Sequence, residues 1–204
     1  MTNSFIIDWL SNHWEEVAGV IAGLAYLFFA VRQSVLLWAL GIISAVFFIV
    51  VFFRAEVYGN MVLQAYYLGM SIYGWIHWAK GSEGASEKAS VGPLPVTRLP
   101  QRQGMICFLV SGLAVLPVFF LLRDLAHSPV PFLDAVTSVL SMTATWMLAR
   151  KIIENWIVWI AVDAVSSFMY FSRELYFTAF LYAVYAIVAI LGFFAWKKTM
   201  QVTS

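Results

Sequence analysis

Apolar residues in this chain come in long unbroken runs, not in alternation with polar ones. Val35–Phe53, Val57–Ala79 and Leu175–Trp196 contain no Asp, Glu, Lys or Arg. A helix needs about 20 mostly apolar residues to cross the hydrocarbon of a bilayer. Backbone groups in lipid must be satisfied within the protein, so spans are helices or closed barrels. Barrel strands would alternate with period two, and these runs are apolar on every face. The pattern predicts seven helices, at about 15–31, 35–53, 58–79, 103–122, 131–149, 155–171 and 175–196. The first and fifth are short: Val17–Val31 and Ala135–Ala149 are their charge-free stretches, 15 residues each. The long polar connection, with Gly81, Gly84, Gly92, Pro93, Pro95 and Pro100, reads as a linker.

Composition sharpens this picture. Of 204 residues, 62% are hydrophobic and 11% charged, against about 25% charged in an average soluble domain. That excludes a soluble enzyme and leaves an all-α integral membrane protein. A net charge of +1 supplies no field for nucleic acid. The single cysteine, Cys107, excludes a disulfide framework. Residues 1–14 lack a basic flank and read as an interfacial leader, with Trp9 and Trp14 at the membrane surface. Three Lys and Arg (Arg54, Arg123, Arg173) fall on the N-terminal side and nine on the other. The positive-inside rule therefore places the N-terminus outside and the C-terminus in the cytoplasm.

A repeat accounts for the odd number of spans. Residues 16–80 slide onto 134–198 at a constant offset of 118 without a gap, and 13 of the 65 positions are identical. The identities include Arg32/Arg150, Trp38/Trp156, Glu56/Glu174, Tyr67/Tyr185, Gly74/Gly192 and Trp78/Trp196. Chance matching of apolar residues would produce Leu and Ile pairs instead. Two three-helix units, 15–80 and 131–198, are joined by the linker 81–102 and by a linker helix at 103–122. That fourth helix restores the orientation of the second unit, giving a 3+1+3 arrangement of parallel triple-helix repeats, SWEET-like in plan. Parallel repeats are a transporter architecture, with substrate held near mid-membrane between the halves.

Polar groups within the spans mark candidate chemistry. On the sixth helix Asn155, Trp159 and Asp163 stand at i, i+4 and i+8 and share a face, with Trp156 and Ser166 at its edges. Asp163 falls half-way along the span, where an ionised carboxylate costs about 2.5–3.5 kcal/mol. No Lys or Arg lies at its depth, leaving protonation, interhelical donors or a cationic ligand to compensate it. Trp159 reads equally as a packing aromatic and as the wall for a flat cation, through stacking and cation–π contact; Trp156, near the span's end, reads first as an interfacial aromatic. The third helix carries Gln64, Tyr67 and Ser71 on one stripe, and the seventh carries Tyr182 and Tyr185. Gln64 suits a substrate hydroxyl or amide as well as it suits interhelical bonding. His13, His77 and His127 are scattered at span ends without ligand spacing, so no metal and no cofactor is expected.

The segments Gln64-Ala-Tyr-Tyr-Leu-Gly-Met-Ser-Ile-Tyr-Gly-Trp-Ile-His-Trp78 and Glu154-Asn-Trp-Ile-Val-Trp-Ile-Ala-Val-Asp163 resemble the PnuC family of bacterial nicotinamide riboside uptake transporters. The resemblance runs from about Glu15 to Lys198. It implies a homotrimer in the inner membrane and facilitated diffusion, with a cytoplasmic kinase trapping the product. It carries Trp156, Trp159 and Gln64 over as substrate-binding residues. Position 163 is Asp, and position 71 Ser, where some members have Asn; relatives carry thiamine or a flavin. Both nicotinamide riboside and thiamine are flat heteroaromatic cations that suit Asp163, whereas riboflavin is neutral and larger. The expectation is a vitamin transporter, not an enzyme, whose site comprises Asp163, Trp159, Trp156, Gln64, Tyr185, Asn155, Ser71, Tyr67 and Tyr182. Thiamine transport is the alternative within the family, and a non-transporting membrane scaffold or sensor is the alternative outside it.

Overall fold

The computed structural model describes residues 14–54, 58–81, 94–124 and 129–202. The proposed leader, apart from Trp14, and much of the linker lie outside them. Among these residues seven helices form: α1 (Trp14–Val31), α2 (Leu36–Arg54), α3 (Tyr58–Lys80), α4 (Gln101–Asp124), α5 (Pro131–Ala149), α6 (Asn155–Ser172) and α7 (Tyr176–Val202). All seven predicted segments are therefore helical, most with ends within two residues of the expected ones. α7 runs six residues further, because Lys197–Val202 continues the helix beyond the apolar run.

Four of the helices are long and apolar enough to cross a membrane: α2, α4, α5 and most of α7. Of the others, α1 is described with its side chains only from Val20, and Val20–Val31 is a shorter apolar stretch. α3 and α6 are diluted by polar residues, among them Gln64 and Ser71 on α3 and Asn155, Asp163, Ser166 and Ser167 on α6. These two diluted helices are the ones that carry most of the polar candidates.

Helix packing follows the sequence offset. α1 packs on α2 as α5 packs on α6; α2 on α3 as α6 on α7; and α1 on α7 as α5 on α3. α4 has no such counterpart; it lies against α5 with no residue of its own buried. The helix ends match as well. Gln33 and Lys151, 118 apart, both adopt left-handed backbone, with φ of 56° and 52°. Ser34 N then donates to Phe29 O, and Ile152 N to Met147 O, both at 2.9 Å. Such a 6→1 bond satisfies a carbonyl that the helix end would leave orphaned.

The main core sits at the linker-side end of the bundle and is built from paired tryptophans. Trp38 meets Trp78 edge-on at 5.3 Å and 88°, and Trp156 meets Trp196 at 5.5 Å and 87°. Two glycines make room: a Cβ on Gly74 would come within 2.5 Å of the Trp38 indole, and one on Gly192 within 2.7 Å of Trp156. The pairs also tie the two halves together. Trp78 Nε1 donates to Ala149 O at 3.0 Å, and Trp196 Nε1 to Ala30 O at 3.1 Å. Lys151 Nζ donates to Gln33 Oε1 at 3.2 Å, joining the matched turns. Burial lowers the Lys151 ammonium from its ordinary 10.5 to about 8.

Candidate functional site

The sequence-predicted residues separate into two groups. Asn155 and Trp156 lie in the tryptophan core, 0% and 1% exposed. Asn155 Nδ2 donates to Ile152 O at 2.6 Å, and Trp156 is held between Gly192 and Trp196. The Trp156 Nε1 and Asn155 Oδ1 atoms are buried without a hydrogen-bond partner. Trp159, half-buried, packs against the margin of the same core. Asp163 is eight residues from Asn155, about 12 Å further along the axis. Sharing a helical face therefore does not put Asn155 and Trp156 in one chamber with the acid.

Around Asp163 the bundle is rich in tyrosine. Asp163 is 4% exposed and, among the described residues, makes neither a salt bridge nor a hydrogen bond. Its carboxylate is within electrostatic reach of Tyr182 and Tyr185 on α7. The Tyr182 ring stacks on Tyr170 at 5.2 Å and meets Tyr185 at 5.8 Å and 68°. Burying an acid beside hydroxyls lets them serve as donors to it in place of water.

α3 contributes a second cluster. Tyr67 lies beside Tyr66, ring centroids 5.6 Å apart, and pairs with Ser141 of α5. The Tyr66 hydroxyl donates to Met142 O at 2.7 Å. Ser71 is buried against Gly41, whose absent side chain leaves space for its hydroxyl: a Cβ there would come within 2.6 Å of Ser71 Oγ. Gln64 is half-buried on the same helix. Tyr26 of α1 also lies beside Gly41 and within electrostatic reach of Tyr67.

The two tyrosines at matched positions differ in surroundings. Tyr67 reaches Ser141, whereas Tyr185 reaches the corresponding residue of α1, Gly23, which has no side chain; a Cβ there would collide with the Tyr185 hydroxyl. The Tyr185 hydroxyl thus lacks the serine partner of its counterpart, and the residue is within electrostatic reach of Asp163. Two cavities stand out and neither is lined by Asp163. One, about 460 Å³, is a groove between α6 and α7 along Ala164, Ser167, Phe168 and Ile187. The other, about 330 Å³, lies at the linker-side end.

Sequence reading missed Tyr26, Gly23, Gly41, Ser141 and Tyr170. Aligning the two halves already held a signal for the glycines and for Ser141: Gly23 against Ser141, and Gly41 against Trp159, are among the positions where one half lacks a side chain the other has.

Seven helices among the described residues, four of them apolar enough to span a bilayer and one, α6, carrying a buried acid, define a polytopic membrane protein. The nicotinamide mononucleotide transporter family matches residues 13–198, and the chain belongs to that family. It is 25% identical to the nicotinamide riboside transporter PnuC of Escherichia coli K12, over 92% of this chain and 87% of that one. It is 28% identical to the riboflavin/roseoflavin transporter RibM of Streptomyces davaonensis, over 90% of this chain and 84% of that one. The crystal structure of the vitamin B3 transporter PnuC superposes with a TM-score of 0.73 at 22% identity, covering 98% of this chain and 88% of that one. That likeness establishes the shared fold.

Proposed function

We propose that this protein takes up a small cationic heteroaromatic vitamin or precursor, with nicotinamide riboside the favoured substrate, by facilitated diffusion. The observation that carries the reading is Asp163, a buried acid without a protein cation, beside Tyr182 and Tyr185 on a helix that packs against its own. A flat cation seated there would offset the charge, and desolvation strengthens its attraction to aromatic faces. Trp159 would supply a ring wall, and Gln64, Ser71, Tyr67 and Tyr185 would bond polar groups of the substrate. Trp156 and Asn155 would act at the end of the pathway, where their unpartnered polar atoms could bind substrate once the core opens.

All seven helices would span the inner membrane, N-terminus outside and C-terminus cytoplasmic, as two parallel three-helix repeats joined by α4. The matched tryptophan pairs, matched left-handed turns and matched helix contacts support that plan. Transport would follow from rocking of the two repeats about the site. The wholly unburied α4 is the kind of surface a homotrimer would cover.

The 28% identity to a riboflavin/roseoflavin transporter favours a second reading, a flavin substrate; thiamine, the other flat cation, belongs to the first. Calorimetric titration of the purified protein with nicotinamide riboside, thiamine and riboflavin decides among them. Heat with a cation, lost in Trp159→Ala and in Asp163→Leu, is the expected result. Heat with riboflavin alone would remove the cation assignment, and silence with all three would favour a scaffold.

A further inference from the structure

The linker does more than join α3 to α4. Its described part, Leu94–Pro100, is strapped across the α5–α6 turn by backbone pairing. Thr97 N donates to Lys151 O, and Ile153 N to Thr97 O, both at 3.0 Å. Two side chains reinforce it: Lys151 Nζ donates to Leu94 O, and Glu154 Oε2 accepts from Leu99 N, both at 2.9 Å. The strap roofs the cavity of about 330 Å³, whose walls include His77, Arg98, Gln103 and Arg150.

Among the described residues this pocket is cationic and lined by no acid. Arg98 and Arg150 form no ion pair among the described residues, and the acid on the adjoining turn, Glu154, is engaged with Leu99 N. The Arg150 guanidinium lies over the Trp146 ring, 5.2 Å from its centroid. A guanidinium held over a ring keeps its N–H edge for an oxyanion. The matched residue Arg32 lies over Phe28 in the same manner, at 4.5 Å, but the strap pairs with the α5–α6 turn. The linker therefore turns one of two similar arginine turns into a pocket. Next in sequence to the lining residues His77 and Gln103, Ile76 of α3 and Met105 of α4 are exposed apolar side chains. An anionic head in the pocket with hydrocarbon tails beside it is the arrangement these surfaces fit.

We propose that this pocket binds the phosphate-bearing headgroup of an anionic phospholipid, with Arg98 and Arg150 contacting the phosphate and Gln103 and His77 its polar margin. The proposal needs the chain to lie in a bilayer but is independent of what it transports.

Native mass spectrometry of the full chain in neutral detergent, titrated with phosphatidylglycerol or phosphatidylcholine, tests it. Phosphatidylglycerol is expected to bind in preference. Each arginine near an anionic group contributes a factor of about five, so Arg98→Gln with Arg150→Gln together should weaken that binding about 25-fold. Arg32→Gln should leave it unchanged. In the unaltered protein the preference should shrink as salt is raised, a readout that needs no variant. Equal binding of the two lipids, or a double variant that keeps the preference, overturns the proposal. Competition by inorganic phosphate at concentrations comparable to the lipid would overturn the lipid assignment and leave a site for soluble phosphate. Vitamin calorimetry on the same double variant separates this test from the transport reading, since its heat should persist whatever the lipid result.

Discussion

Helices α1–α3 and α5–α7 have matched contacts and turns, yet their interiors differ chemically. Where the first half buries Leu37 and Ala45, the second buries Asn155 and Asp163. Gly41 corresponds to Trp159, Gln64 to Tyr182, Ser71 to Ala189, and Gly23 to Ser141. Positions that hold the bundle together, the tryptophans and the glycines beneath them, are the same in both halves. Apart from Tyr67 and Tyr185, the positions facing the polar interior diverge. Packing constrains a residue by shape, and two equal halves need equal shapes. A single asymmetric ligand contacts each half differently, so the interior is free to differ.

The sharpest way to break this comparison is at Asp163. Asp163→Leu turns the second half toward the apolar first half at the matched position. Loss of a buried charge partner is expected to weaken binding of a vitamin cation by about 100-fold or more, read by calorimetry. Its melting temperature should be unchanged or higher, because an uncompensated carboxylate has been removed. A large fall in stability with intact affinity would show the acid to be structural.

The packing side of the comparison is tested at the matched glycines. Gly74→Ala and Gly192→Ala each force a methyl against an indole, and overpacking of this kind costs about 1–3 kcal/mol. Thermal melting in detergent should fall by similar amounts for the two. Unequal losses would show that the halves do not bear load alike. Gly69→Ala, with nothing within 4 Å of its Cβ, is the control and should have little effect.

A smaller effect is expected at the matched turns. Lys151 is protonated below about 8 when folded and below about 10.5 when unfolded. Between those values the unfolded chain binds more protons, so stability should rise with pH through that window. Below about 8 both states are charged, and burying the ammonium weighs fully against folding. Lys151→Met should remove this rise in melts recorded from pH 7 to 10.5. Gln33, its neutral counterpart, contributes no such dependence. A rise that persists in the variant would assign it to another group.

The sequence by itself determined the helices. Their runs are too long and too apolar for soluble elements, and a bilayer requires each segment to satisfy its own backbone. It also determined the matching of the halves, since an ungapped offset of 118 aligned Trp, Gly, Arg and Tyr in register, and it singled out Asp163 as an acid without a cation at its depth. Tertiary structure alone decided how those residues group. Helical periodicity put Asn155, Trp156, Trp159 and Asp163 on or beside one face, but it carries no information about which neighbours that face meets along its length. Contacts with α7 seal Trp156 under Gly192 and leave Asp163 among tyrosines. The partners of the matched tyrosines, Ser141 for Tyr67 in the α3 cluster and a bare Gly23 for Tyr185, come from other helices more than 70 residues away in the chain. The strap over the α5–α6 turn was equally hidden, because Pro- and Gly-rich composition identifies a linker and says nothing of where it docks.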